Sequence, residues 1–593
     1  MTSRRFLSLQ NVLLITIAII VVAVNIRRSF LGVELTDEAF YIAEARLIMQ
    51  GTVPFVTGWF QAAGATLFYF WLVPLYELIN GGTDGIFIFM RIAYVAFKIL
   101  CLSIVYLILK KVFNPKILFI FLLTLVPLAP NYMFMISYNS ISIFLTLIGQ
   151  ALIIVVLLNA ANNKSIIYCV SAGVIMGLAT FAHVQVAFIS VLFGVFLLLI
   201  PRNSTTKKET LSYFIGFMIV CIISLFALSV AGGGLGNLIS GIRTIIFEST
   251  YFQIPVRSFE KSMVYLYNSL SPHIGYIIFV LSCCVFGIFC RIREKREIAY
   301  PVKIKEIVLK SLLLITIIYV VVLIIQSEAL PRATYDVICA LVFVPAAILP
   351  YLSSEKRKQG WIVLLLLWGA GLLSITASSI MVWSGLPGRF YLLHIGAMST
   401  ILLFSLLFDN ESKKTHSAAM RGSGWVILLS VVLIISLSVQ QYMYVYRDAP
   451  YNQLNFKVER GVYKNILTTE ERGRAIVELE DEIRALTSTN DDVLFLDNVP
   501  MAYLMTDAFF CTPITWDIMN YYHGINDDRI MQKFFEKVGR TPNKIVYIFI
   551  GRDNQLSIED EDYVFNRFVF DNYNLVYENP DILFRIIMFE NVE

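Results

Sequence analysis

LTDEAFYIAEARLIMQGTVPF, residues Leu35–Phe55, follows the first long apolar run of the chain and sets two adjacent acids, Asp37 and Glu38, where a membrane protein would leave the bilayer. Whether this stretch is an outer loop depends on what surrounds it. The 593-residue chain is 58% hydrophobic and only 15% charged, too apolar for a soluble protein of this length. A formal net charge of +4 gives no reason to expect a nucleic-acid partner.

A ~30 Å hydrocarbon core needs roughly 17 to 25 apolar residues per crossing, and about thirteen such runs can be read along the chain. They begin near Leu9, Ile86, Ile117, Ile136, Ile166, Val184, Leu211, Ile274, Ile307, Tyr335, Trp361, Tyr391 and Trp425. The first follows Arg4 and Arg5 without a small-residue cleavage site, so it reads as a retained helix. With a cytoplasmic N-terminus, the basic clusters Lys110–Lys116, Arg202–Lys208, Arg291–Lys305, Glu355–Lys358 and Lys413–Arg421 all fall inside. An odd number of crossings then leaves the C-terminus outside. Sequons at Asn163, Asn203 and Asn410 fall in inside loops, which favours a bacterial plasma membrane over a glycosylated ectodomain.

Beyond Tyr442 the composition turns polar. DDVLFLD (Asp491–Asp497), KIVYIFI (Lys544–Ile550) and DILFRIIMF (Asp581–Phe589) read as strands, and Glu470–Thr487 as an amphipathic helix. The expected architecture is an α-helical polytopic membrane domain, residues 1–445, followed by a small extracytoplasmic α/β domain, residues 446–593. Of eight cysteines only Cys511 lies in that outer part, so no disulfide framework forms there.

The first outer loop spans residues 28–85, and long ordered loops carry function. Thr36 is placed to cap a helix whose first turn holds Asp37 and Glu38. Gly51 and Pro54 end it. A second apolar segment, Ala62–Gly81, is broken by Pro74 and reads as a helix lying in the interface. If it crossed, the basic loops would all move outside. Two readings of the acid pair stand here: helix-terminal charges at a wet surface, or a general base for a hydroxyl acceptor.

The ordered set Asp37, Glu38, Tyr41, Ala45, Arg46, Gly51, Pro54, Gly81 and MRIAYVAFKILCLSIVYLILKK (Met90–Lys111, with Arg91) resembles the start of the GT-C superfamily of membrane glycosyltransferases. It is most similar to the branch of the protein O-mannosyltransferases and the lipid A aminoarabinose transferase. The resemblance implies transfer of a sugar from a polyprenyl-phosphate carrier to a hydroxyl of an envelope glycan, lipid or protein at the outer face, with inversion. It implies Asp37 as base, with Glu38 and Tyr41 positioning the acceptor and Arg46 among the substrate-binding residues. Relatives often carry a second acid at the outer start of the fourth span, where this chain has Asn139. An amide can hydrogen-bond an acceptor hydroxyl or orient Asp37, but it is a poor base and a weak metal ligand, so no metal is assigned. His183 and Gln185 stand where relatives often place a phosphate-contacting Lys. Arg389, Arg257 and Arg91 are the candidate cations for the departing phosphate. Lys98, in mid-span, keeps a transporter or flippase open as an alternative, beside a polysaccharide polymerase or ligase.

Overall fold

In the computed structural model, the described residues are 9–60, 62–129, 133–158, 164–200, 206–247, 270–296, 302–326, 341–373, 391–408, 416–443, 445–496, 499–516, 538–550, 564–579 and 584–591, with isolated positions at 264, 267, 268, 337 and 536. They are mostly helical. Among them seven helices are long and apolar enough to cross a membrane by length and composition. These include α1 (Leu9–Arg28), α5 (Ile86–Leu109), α7 (Tyr138–Leu158), α8 (Ser165–Ala182) and α10 (Thr206–Ala231).

The count of about thirteen is therefore not reproduced among the described residues. The run from Ile117 yields only α6 (Pro115–Leu123), about 14 Å of helix at 1.5 Å per residue, before a turn at Thr124–Pro127 stops it. The run from Val184 yields α9 (Val186–Leu199), also short. The run from Tyr335, described at 337 and from Leu341 on, yields only the short helix Val344–Ile348 and a 3-10 turn, Leu349–Tyr351.

The surface of the bundle is inverted relative to a water-soluble protein. On α10, Ile219, Ile222, Ile223, Phe226 and Val230 are exposed, whereas α7 is enclosed along most of its length. Helices α8 and α10 meet through glycines: a Cβ on Gly173 would stand 2.0 Å from the Tyr213 carbonyl oxygen, and one on Gly216 would stand 2.3 Å from that of Val170. Without a water-driven hydrophobic effect between helices, such close backbone approach supplies the packing contacts.

The first loop holds α2 (Asp37–Met49), α3 (Ala63–Thr66) and α4 (Leu72–Asn80). The interfacial segment is thus two short helices rather than one, and Pro74 sits in the first turn of α4, where its missing N–H costs nothing. Leu75, Leu78 and Ile79, with Trp71 just before the first turn, leave an exposed apolar face on this nine-residue helix, as for a helix lying at a membrane surface.

The C-terminal region carries the expected helix, Glu470–Leu486, capped by the Thr469 side chain. An antiparallel pair, β1 (Phe456–Lys457) and β2 (Leu467–Thr468), precedes a five-stranded sheet that runs β4 (Phe509–Phe510), β3 (Asp492–Leu496), β5 (Lys544–Ile550), β7 (Phe584–Asn591), β6 (Tyr573–Asn579), parallel through the first three and antiparallel after. Segments of this region bond directly to the first loop. Trp59 N–H donates to the Pro513 carbonyl (2.9 Å) and Gly32 N–H to that of Leu467 (2.8 Å), so loop and C-terminal region share one side of the bundle.

Candidate functional site

The chain leaves α1 through Gly32, in left-handed backbone (φ 77°). A Cβ there would stand 1.9 Å from Val445 Cγ1, so only glycine lets the exit of the first helix lie against the segment that follows the last. Glu34 comes next and is buried. Its Oε1 accepts from Thr36 N–H (3.1 Å) and Thr36 Oγ1 (2.6 Å), and its Oε2 accepts from Glu38 N–H (2.6 Å). Thr36, expected to cap α2, makes no side-chain cap bond; the Glu34 carboxylate serves the free N–H groups instead. Tyr463 donates to the Glu34 carbonyl (2.6 Å) and stacks on Phe87. Burial first, then the Asp37 and Glu38 carboxylates, push the Glu34 acid up to about 7, against the Thr36 hydrogen bond and Arg447.

The two adjacent acids have opposite surroundings. Glu38 is 1% exposed at its side chain, its Oε1 taken by Phe134 N–H (2.6 Å) and its Oε2 by Arg91 Nε (2.8 Å) and Nη2 (2.6 Å). Arg91 spends its other N–H groups on the carbonyls of Ser29, Leu31 and Gly32. All five of its donors are committed, so it has no edge for a phosphate. Glu38, expected to orient an acceptor, joins α2, the exit of α1 and the Phe134 turn across α5. Leaving either charge alone in this setting would be costly.

Asp37 is 21% exposed at its side chain. Tyr446 donates a hydrogen bond to its Oδ2, and Arg447 Nη2 pairs with the same oxygen at 3.1 Å. No described residue donates to Oδ1. Burial raises the Asp37 carboxyl above the ordinary aspartate range; Arg447 and the Tyr446 hydrogen bond draw it back, and Glu38 adds to the rise. One oxygen is tethered and the other is open, the state a proton acceptor requires.

Tyr41, one turn beyond Asp37, is buried, and its ring lies 6.0 Å from that of Tyr138, which in turn stacks on His183 at 5.0 Å. The start of α7 and the end of α8 are thereby brought to the same place as Asp37. Asn139 sits inside the first turn of α7, largely buried, where Ser137 and Ser140 cap each other. Gln185 is buried just before α9. Arg46 faces away from this group. It donates to the carbonyls of Tyr503 (2.8 Å) and Thr506 (2.9 Å), so it fastens the C-terminal region to α2 rather than meeting a substrate. Glu44 and Gln50 extend that fastening through Thr515, Ala508 and Phe510. Arg257 and Arg389 lie outside the described residues. Lys98 Nζ is held by Asn25 Oδ1 (3.1 Å) and the carbonyls of Val126 (2.9 Å) and Leu128 (3.4 Å), inside the bundle.

The sequence reading missed Glu34, Tyr446, Arg447 and Asp448. Asp448 Oδ2 accepts from Val33 N–H and Thr468 Oγ1, both at 2.7 Å, tying the strap after the last helix to the loop after the first. A tyrosine followed by an Arg-Asp pair immediately beyond the last apolar run was the available signal.

No protein-family model matches this sequence, and no curated protein matches it. Among solved structures it is similar to ArnT from Cupriavidus metallidurans in the apo state (14% identity, 97% of each chain, TM-score 0.44). The same protein bound to undecaprenyl phosphate gives 13% identity over 97% of each chain and a TM-score of 0.43. The archaeal oligosaccharyltransferase AglB from Archaeoglobus fulgidus, in complex with an inhibitory peptide and a dolichol-phosphate, gives 12% identity over 90% of this chain and 69% of that one, with a TM-score of 0.45.

Proposed function

We propose that this protein is a multi-pass membrane glycosyltransferase that moves a sugar from a polyprenyl-phosphate carrier to a hydroxyl of an envelope glycan, lipid or protein. The site lies at the outer face of a bacterial plasma membrane, with the N-terminus cytoplasmic. The observation that carries the reading is the division of labour within the acid pair: Glu38 is sealed by Arg91 and Phe134, while Asp37 Oδ1 meets no donor among the described residues. The motif around the pair, from Asp37 to Arg91, supplies the reaction class.

Asp37 Oδ1 takes the proton of the acceptor hydroxyl as its oxygen attacks the anomeric carbon. The bond from that carbon to the phosphate oxygen breaks, and the electron pair leaves with the lipid phosphate. With one base on one side, the displacement inverts the anomeric centre. Tyr41, one turn from Asp37, begins a row of ring contacts that runs through Tyr138 to His183. Residues 1–445 form the catalytic membrane part and 446–593 the outer module, with Tyr446–Asp448 reaching back into the site. Lys98 favours no transport path, since its ammonium is bonded within the bundle.

The test uses purified full-length protein with radiolabelled polyprenyl-phosphate sugars. Carrier turnover by the unmodified protein and none by Asp37→Asn is the expected result. Turnover that survives Asp37→Asn overturns the base assignment. Absence of turnover with every such carrier favours a polymerase, ligase or transporter.

A further inference from the structure

We propose that Arg447 binds the phosphate of the lipid carrier through the edge of its guanidinium formed by Nε–H and Nη2–H. The inference rests on the donor class proposed above. It begins from the backbone: Arg447 adopts φ 54°, the left-handed region, which is strained for a residue that carries a Cβ. Both neighbours hold it there, Tyr446 by its bond to Asp37 and Asp448 by its bonds to Val33 and Thr468. Backbone outliers of this kind concentrate at ligand clamps.

The side chain is only half used. Nη1 donates to Thr36 Oγ1 and to Glu34 Oε1 (3.4 Å), and Nη2 pairs with Asp37 Oδ2 (3.1 Å). These contacts fall on Nη1 and Nη2 and leave Nε without one. The long side of the guanidinium, Nε–H with the second Nη2–H, meets no acceptor among the described residues, and the side chain is 44% exposed. Arg91 uses the same side of its own guanidinium to grip Glu38, through Nε and Nη2. Two parallel N–H groups on a rigid plane match two oxygens of a phosphate ester.

Arg447 is therefore tied to Asp37 at one end and open at its side. A phosphate seated there is referenced to the same residue that holds the proton acceptor, so base and leaving group keep a common frame. As the phosphate departs it gains negative charge, and the fork strengthens its hold at that moment. The shared chemistry is a phosphate ester, which a membrane lipid headgroup also offers. The location beside Asp37 favours the carrier.

Binding of undecaprenyl phosphate, undecaprenol and phosphatidylglycerol to the full chain in detergent separates these cases. Arg447→Lys keeps the charge but loses the fork, and is expected to weaken undecaprenyl phosphate binding by at least about tenfold. Undecaprenol binding should not change, and the exposed control Arg460→Gln should bind both as the parent does. In the unmodified protein, undecaprenyl phosphate but not undecaprenol should protect Arg447 from phenylglyoxal, read by peptide mass; this holds even if the variant fails to fold. Unchanged undecaprenyl phosphate affinity in a folded Arg447→Lys, or absence of protection, overturns the assignment alone. Equal binding and equal loss for phosphatidylglycerol makes the fork a headgroup anchor and overturns it too. If the unmodified protein binds no undecaprenyl phosphate, the donor reading fails with it.

Discussion

Tyr446 and Asp37 stand 409 positions apart, and the hydroxyl of the first donates a hydrogen bond to Oδ2 of the second. The proposed base is thus held by the strap that follows the last apolar helix. Its reactivity depends on both ends of the chain being in place.

Tyr446→Phe keeps the ring and removes the donor. That bond lowers the Asp37 carboxyl, so its loss raises it further. Because the ionised form is the active base, the acidic limb of the pH–rate profile should move to higher pH. Turnover near neutrality should drop about tenfold, worth ~1.4 kcal/mol, and recover as pH rises. A uniform loss at every pH would mean structural damage instead.

Glu38→Gln leaves Arg91 without its counter-charge in a buried setting. The expected effect is a loss of about 3–5 kcal/mol in stability, not a selective loss of catalysis. Melting of the purified variant checks this. A variant that melts like the parent but does not turn over would return Glu38 to the reaction itself.

Glu44 is buried and accepts from both Thr515 N–H (2.8 Å) and Thr515 Oγ1 (2.9 Å) through Oε1 alone. Burial pushes its acid from the ordinary 4.5 up to about 7. Between these values the folded protein holds a proton that the unfolded chain has released, so stability falls as pH rises through this window and the loss is complete above about 7. The loss amounts to about 3 kcal/mol. Glu44→Gln preserves the acceptor oxygen and removes the charge. The drop in melting temperature from pH 5 to pH 8 should be smaller in the variant than in the parent.

Arg46→Ala strips donors from the carbonyls of Tyr503 and Thr506. Docking of the C-terminal region should weaken by about 1–3 kcal/mol for each carbonyl left buried and unpaired. Limited proteolysis reads this out: cleavage within residues 499–516 should quicken while the helices of the bundle stay protected.

Much of the fold was legible because it is periodic. Apolar runs of sufficient length became α1, α5, α7, α8 and α10, and β-branched runs became β3, β5 and β7. The helix Glu470–Leu486 matched its amphipathic pattern to within a residue at its end. Where local signals met stops, as with the turn after α6, length alone misled. Pro74 made α4 short but did not break it, because it fell in the first turn.

The site was legible in part. The motif pointed to the acid pair, yet Glu34 lay three residues ahead of it and has no periodic signature. Tyr446, Arg447 and Asp448 acquire meaning only when the exits of the first and last apolar helices meet at Gly32 and Val445.

The sequence by itself determined that this chain would be a bundle of apolar helices with a polar α/β tail, and that two acids would open the first helix of the first loop. Which acid is available was decided by tertiary structure. Adjacent residues on a helix point about 100° apart, so Glu38 turns toward Arg91 and Phe134 while Asp37 turns toward the strap, with one oxygen left open.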